Sequence, residues 1–239
     1  MNSSTWCRLG LALLAAGCST GTPVTEPPLP PGDPGESSAY YSEAELAVFA
    51  TLAFSGNTAA RMRRWDQPIR IRIEGEYTPE DSAVVVEVAA KLSEALVTIP
   101  VSVVQGNATV ELYFMPDTAY YRLRGSACSP PGGVWGYSCP TWDADRRYTA
   151  VAVYVTSLRT APIRRYLIHH ELMHMVGFYD HPANVASILS RPENTSQSTY
   201  LPLDYLLLEM MGREELRPGM LGDEALTILR GLKRRPASQ

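Results

Sequence analysis

The sequence lacks an excess of positive charge, since 21 lysines and arginines stand against 25 aspartates and glutamates and give a formal net charge of −4. Proteins that bind nucleic acid through its phosphates usually carry a basic surface. No nucleic-acid partner is therefore expected. The apolar run near the N-terminus, residues 9–17, is also too short to cross a membrane as a helix, because a span needs about 20 apolar residues.

The first 17 residues have the order of an export signal: a short polar stretch with one positive charge at Arg8, an apolar run, and small residues before Cys18. Residues 14–18, Leu-Ala-Ala-Gly-Cys, resemble the bacterial lipobox, whose cysteine becomes the lipidated first residue, although the usual leucine lies one place nearer the cysteine. We expect a signal peptide over residues 1–17 and a lipid on Cys18 that anchors the protein to a membrane of the bacterial cell envelope. The alternative is an ordinary secretory signal in which Cys18 is incidental.

Proline and glycine dominate residues 19–38, and no apolar periodicity is present there. Such a segment buries too little apolar surface to offset its chain entropy, and its prolines keep it extended. We interpret residues 18–39 as the lipidated cysteine with its tether. The folded domain is then predicted at residues 40–235, a length that suits a single domain.

Only four cysteines are present, and Cys7 and Cys18 are accounted for by the leader and the lipid. Cys128 and Cys139 remain, at the two ends of the loop "CSPPGGVWGYSC". Because an exported protein meets an oxidising compartment, a disulfide between them is the first interpretation. A zinc knuckle is the weaker one, because ten intervening residues do not suit it.

The order of predicted elements indicates an α+β fold with a mixed sheet. Helices begin behind the capping patterns at Ser42 and Thr78, and strands are marked by alternating or β-branched apolar residues. The predicted helices cover residues 42–54, 79–96, 161 through the histidines, 203–212 and 223–232, and the predicted strands cover residues 68–75, 101–104, 109–115 and 148–155.

All four histidines lie within residues 169–181. Residues four apart stack on one face of a helix, so His170 and His174 present two imidazoles to one point. Glu171 lies about 100° round the helix from His170, near enough to act as a general base on a water without binding the metal. The alternative is that these histidines are ordinary core or surface residues, and the short H-E-x-x-H pattern also occurs by chance.

Gly177 offers a way to bring a third ligand to this point. A residue six or seven positions after His174 reaches the metal only if the helix stops at once, and glycine supplies the backbone conformation for such a stop. Asp180 and His181 are the two candidates. A change of one residue in the turn would exchange them.

The stretch "HELMHMVGFYD", residues 170–180, resembles the metzincin clan of zinc endopeptidases. The usual last residue is histidine, but a minority of bacterial members use aspartate as this chain does. The resemblance implies a Zn²⁺ ion held by His170, His174 and Asp180, with His181 as a neighbour. It also implies a metzincin-like fold with an active-site helix and a small helical C-terminal lobe.

Metzincins have a turn with methionine below the metal, and residues 187–190, Ser-Ile-Leu-Ser, stand at a similar distance here with leucine in its place. A longer resemblance covers most of the folded chain, through "RRWDQPIRIRIEG", the histidine segment and "LDYLLLEMMGREELRPGM". It is to a bacterial secreted family of unknown function, itself thought to be metzincin-like. This similarity implies a common fold but no substrate.

Taken with the resemblance, the residues predict a zinc-dependent endopeptidase that acts on peptide or protein outside the cytoplasm, with Glu171 as its catalytic base. By the resemblance, the strand at 148–155 would be the open edge beside the cleft, but a core strand is equally compatible with the sequence. Tyr200 and Tyr205 are candidates to stabilise the oxyanion, and helix packing is their alternative role. Two rivals remain open: a non-catalytic envelope lipoprotein braced by zinc, and a hydrolase of peptidoglycan cross-links.

Overall fold

The computed structural model describes residues 39–123, 133–182, 184–190 and 198–235. The helices are α1 (Glu43–Phe54), α2 (Pro79–Leu96), α3 (Ala161–Val176), α4 (Pro202–Met211) and α5 (Gly222–Gly231), and a 3₁₀ helix spans Asp117–Leu123. The strands are β1 (Ile69–Gly75), β2 (Val101–Val103), β3 (Val110–Met115), β4 (Gly136–Trp142) and β5 (Tyr148–Thr156).

The five strands form one sheet in the order β2-β1-β3-β5-β4. The neighbouring pairs among β2, β1, β3 and β5 are all parallel, and β4 pairs antiparallel with β5 at the edge. Helices α2 and α3 pack against each other, and α3 also contacts β4 and β5. The predicted α+β class with a mixed sheet is confirmed. In the described part of the chain, no helix combines the length and apolar character of a membrane span.

The predicted helices and strands are present, with ends that differ by a few residues. Strand β4 was not predicted, because its sequence "GYSCPTW" reads as a loop. Pro140 has no N–H to donate to a ladder, and a proline within a sheet is tolerated mainly at an edge. The prediction that 148–155 is the open edge strand is wrong, since β5 is hydrogen-bonded on both sides and β4 forms the edge.

The predicted signal peptide, Cys18 and the tether up to residue 38 lie outside the described residues. Cys128 lies outside them as well. Cys139 is on β4 and is disulfide-bonded. The pairing of Cys128 with Cys139 therefore stays a prediction.

A buried ion pair joins the starts of α2 and α3. Thr78 caps α2 through a reciprocal capping box with Asp81, and Asp81 Oδ1 also accepts a hydrogen bond from Arg164 Nε on α3 at 2.9 Å. The two side chains are 3% and 12% exposed, so little water screens the pair. Burial raises the pKa of Asp81, but the hydrogen bonds from Arg164 and Thr78 outweigh it and leave the pKa below its usual value.

We expect Asp81→Asn to lower the free energy of unfolding by about 1.5–3 kcal/mol at pH 7, because it removes the charge from a buried hydrogen-bonded pair. A carboxylate with a lowered pKa contributes its stability above the unfolded pKa of about 3.9 and loses it as the pH falls through the folded value. The difference between wild type and variant should therefore shrink below about pH 4. Urea unfolding across this range measures it, with Glu80→Gln on the exposed first turn of α2 as the control. An equal difference at pH 7 and pH 3 would contradict the assignment.

Candidate functional site

Helix α3 brings the histidine segment to the sheet at the side of β4. The helix begins at Ala161, has Pro162 in its first turn and is buried along most of its second half. Trp65, fully buried, donates its indole Nε1–H to the Met175 carbonyl at 3.0 Å and so holds the C-terminal end of the helix. The helix then stops at Gly177, whose φ of 134° is rarely adopted by other residues.

Three imidazoles converge at this end of α3. The Nε2 atoms of His170, His174 and His181 lie 3.0 to 3.2 Å from one another. This is a group of side chains whose ligand atoms are close enough to hold one metal ion. The predicted pairing of His170 and His174 on one helical face is thus seen directly.

The third side chain in the cluster is His181, whereas Asp180, predicted as the third metal ligand, lies outside it. The ligand role of Asp180 stays a prediction. Asp180 directs Oδ1 to the backbone N–H of His181, at 2.8 Å, so its carboxylate bends back to the chain. Two anchors set the position of the turn: Phe178 packs edge-on against Phe49, and the Tyr179 N–H donates to Leu52 O at 2.8 Å. After these anchors, the side chain at 181 is the one that reaches the imidazoles.

Backbone carbonyls fix the tautomers of two of these rings. His170 Nδ1 lies 2.9 Å from Ile188 O, and His174 Nδ1 lies 2.5 Å from Phe178 O. A carbonyl can only accept, so each Nδ1 carries the proton and each Nε2 of a neutral ring is left with a lone pair. The two Nε2 atoms, 3.1 Å apart, therefore have no proton to share. A bound cation would satisfy both.

Burial keeps the rings neutral. It lowers the pKa of His170 to about 4. The hydrogen bond with the Ile188 carbonyl opposes this decrease, and the electrostatic effect of His181 adds to it. Burial also lowers the pKa of His174 well below its usual value. A metal binds the neutral form of imidazole, so these two rings are already in the form that binds. The fourth histidine, His169, turns away and bonds the Arg165 carbonyl through Nδ1 at 3.0 Å.

Glu171 lies between α3 and β4. Burial raises the pKa of its carboxyl to about 8, while a hydrogen bond from Ser138 opposes the rise. Ser138 Oγ is 2.8 Å from the Glu171 carbonyl oxygen and 3.2 Å from its Oε2. Gly136 makes this approach feasible, because a Cβ at that position would clash with the Glu171 carboxylate. Sequence reasoning missed both β4 residues, and no pattern in the sequence identifies them.

The turn at residues 187–190 contacts His170. The Ile188 carbonyl is the partner of the His170 ring, and Ile188 and Leu189 are fully buried. Asp204, at the start of α4, holds this turn by accepting bonds from Ser187 Oγ at 2.6 Å and from Ile188 N at 3.0 Å. It caps α4 in addition, by accepting from Leu201 N at 2.8 Å.

These groups face a cleft of about 860 Å³. Strand β4 forms one wall, and the histidines and Glu171 lie on another. Aromatic side chains are prominent in the lining: Trp135, Tyr137, Trp142, Tyr166 and Tyr179. The cleft is large enough for a segment of peptide or another ligand of drug size.

Tyr200 and Tyr205, predicted as oxyanion stabilisers, are not among the cleft-lining residues that the structure describes. Tyr200 is buried and donates its hydroxyl to His169 O at 3.2 Å, and Tyr205 contacts its ring edge-on. Both tyrosines therefore pack between α3 and α4. Arg63, which sequence reasoning also missed, lines the cleft instead; its only signal is its place in the "RRWD" segment.

The site thus combines an imidazole cluster that could hold a metal ion with a buried carboxylate in the same open cleft. No curated protein sequence matches the chain. A family model described as "Protein of unknown function (DUF2927)" matches residues 42–231, which contain every helix and strand described above. The chain is therefore a member of the DUF2927 family.

Proposed function

We propose that this protein is a zinc-dependent peptidase that hydrolyses peptide bonds in the cell envelope or outside the cell. The observation that carries the proposal is the triangle of His170, His174 and His181 Nε2 atoms, with sides of 3.0 to 3.2 Å, in the same cleft as Glu171. With Zn–N distances of about 2.0–2.1 Å and tetrahedral angles, ligand nitrogens lie about 3.3–3.4 Å apart. The three residues thus fit zinc by spacing, and His170 and His174 fit it by protonation state as well.

When bound, zinc would act as a Lewis acid toward the scissile carbonyl and would make a nearby water more acidic. Three protein ligands leave a fourth position open, which is typical of catalytic rather than structural zinc sites. The proposed ligands are His170, His174 and His181. Their Nδ1 bonds to backbone carbonyls, seen for His170 and His174, orient the rings and raise their basicity.

Glu171 is the proposed general base. Its raised pKa suits a group that takes a proton from the attacking water and returns it to the leaving amine. A cation at the imidazoles would lower that pKa, since an opposite charge nearby favours the ionised carboxylate. Ser138 holds the carboxylate in place beside β4.

Strand β4 is the proposed platform for the substrate. It is an edge strand, paired only with β5 among the described strands, and it lines the cleft. An extended peptide can add to such an edge through backbone hydrogen bonds. This arrangement favours a polypeptide substrate, and β4 takes the place beside the cleft that was predicted for residues 148–155.

We expect Glu171→Gln to retain stoichiometric zinc and to lose about 10²–10⁴-fold in the rate of peptide hydrolysis, because only the base is removed. Metal content of the purified domain and cleavage of a peptide library measure the two effects. A cross-linked peptidoglycan fragment belongs in the same assay. Full activity of Glu171→Gln would exclude the mechanism. A wild-type protein that binds zinc, loses its fold on chelation and cleaves neither substrate would be the zinc-braced lipoprotein.

His181→Ala should reduce zinc affinity by more than the roughly 10–100-fold typical of residues that only support a ligand, and Asp180→Ala should stay within or below that range. The reason is that His181 Nε2 is in the cluster, whereas Asp180 bonds the backbone. Competitive zinc titrations of both variants measure the ranking. The reverse order would give the ligand role to Asp180.

The location is also a proposal, since it depends on residues 1–38. We expect Cys18→Ser to move the protein from the membrane fraction to the soluble fraction, because acylation at this cysteine would be its anchor. Fractionation of cells that express each form measures this. Membrane association of Cys18→Ser equal to that of wild type would exclude the lipid anchor.

A further inference from the structure

Arg63 occupies a distinctive place in the cleft. Its half-buried side chain stacks on Trp142, with the guanidinium carbon 4.1 Å from the ring centroid, and lies 5.3 Å from the centroid of Tyr179. Among the described residues that line the cleft, it is the only lysine or arginine. Tyr179 is two residues before His181, and Arg63 lines the same cleft as the histidine cluster.

No carboxylate among the described residues forms an ion pair with Arg63. A second arginine in the chain shows the usual arrangement: Arg159 stacks on Trp135 at 4.2 Å, and it also has Asp117 at 3.6 Å as its counter-ion. Arg63 has the aromatic stack without the acid. A planar guanidinium whose faces are covered by rings is held in one orientation, and its N–H groups lie along the edge.

The hydroxyl of Tyr179 supports the same interpretation. It is buried next to Arg63 and has no hydrogen-bond partner of good geometry among the described residues, although Arg63 is near enough to act on it through its charge and a side-chain hydrogen bond. A buried polar group without a well-placed partner is rare in folded proteins and calls for an explanation. Arg63 and Tyr179 can both donate hydrogen bonds, and no carboxylate among the described residues pairs with either of them.

We propose that Arg63 is a specificity residue that binds a carboxylate of the substrate, with the Tyr179 hydroxyl as a second donor. This inference depends on the proposed peptidase function. Guanidinium binds carboxylate through two parallel N–H···O bonds, so this pair is both strong and directional. The carboxylate belongs either to an acidic side chain of the peptide or to its C-terminus, and both present the same chemical group to Arg63.

The test compares four peptide libraries on the zinc-loaded protein. Each library is randomised except for one position, which is Glu or Gln, and each ends in a free carboxylate or an amide. We expect kcat/KM to be at least about tenfold higher for libraries that carry the recognised carboxylate than for their amide counterparts. A preference for Glu assigns a side chain, and a preference for the free terminus assigns the C-terminus.

Arg63→Gln should bring this ratio to within about threefold of one, and Tyr179→Phe should reduce it less. The ratio of two kcat/KM values on one protein sample does not depend on how much of the sample is folded. Arg159→Gln is the matched control, because it also removes an arginine stacked on tryptophan; it should keep the wild-type ratio. A wild-type ratio near one, or an unchanged ratio in Arg63→Gln, would overturn the proposal.

Binding separates this inference from the proposed function. Equilibrium binding of the same four libraries to the zinc-loaded Glu171→Gln protein needs no hydrolysis. If wild type cleaves nothing but this protein prefers the carboxylate libraries in an Arg63-dependent way, the peptidase proposal fails and carboxylate recognition stands. If the libraries are cleaved without carboxylate preference, the peptidase stands and the role of Arg63 fails.

Discussion

The abrupt end of α3 at Gly177 is the constraint on which the histidine cluster depends. Two of the rings are on the helix and the third is beyond it, so the chain must turn within four residues. A side chain at position 177 would be strained, because its φ is 134° and a Cβ there would lie 3.2 Å from Arg63 O and 3.3 Å from Met211 Cε. The turn therefore depends on a glycine packed against the segment that contains Arg63. The histidine cluster and the cleft arginine are positioned by the same contact.

The segment at residues 63–65 shows how one stretch of sequence serves three purposes. Arg63 points into the cleft, Arg64 is buried and donates to the Arg213 carbonyl at 3.0 Å, and Trp65 fills the core and bonds Met175 O. A buried arginine is costly unless its donors are satisfied. Here Nη1 of Arg64 donates to the carbonyls of Arg213 and Leu216 and so connects the loop before β1 to the segment after α4, whereas Nε has no partner among the described residues.

Much of the fold was predictable because its signals are local. Capping boxes at Ser42 and Thr78 fix the starts of α1 and α2, and the H-E-x-x-H spacing alone places His170 and His174 on one face. The two places where the structure differs from the expected arrangement depend on the rest of the chain. Residues 136–142 form strand β4 because their backbone groups hydrogen-bond to those of β5. The choice of His181 over Asp180 follows from anchors on α1, which no local pattern records.

Asp204 holds the turn at residues 187–190 from outside the turn. The residues of that turn do not hold their conformation by their own packing alone, since a buried carboxylate on α4 accepts bonds from Ser187 and Ile188. Burial raises the pKa of Asp204, and the hydrogen bonds from Ser187, Leu201 and Ile188 act against that rise. The same Ile188 whose N–H meets Asp204 directs its carbonyl to the His170 ring. A chain of hydrogen bonds therefore connects α4 to the cluster. It constrains the His170 ring through the backbone carbonyl of Ile188 rather than through side-chain packing.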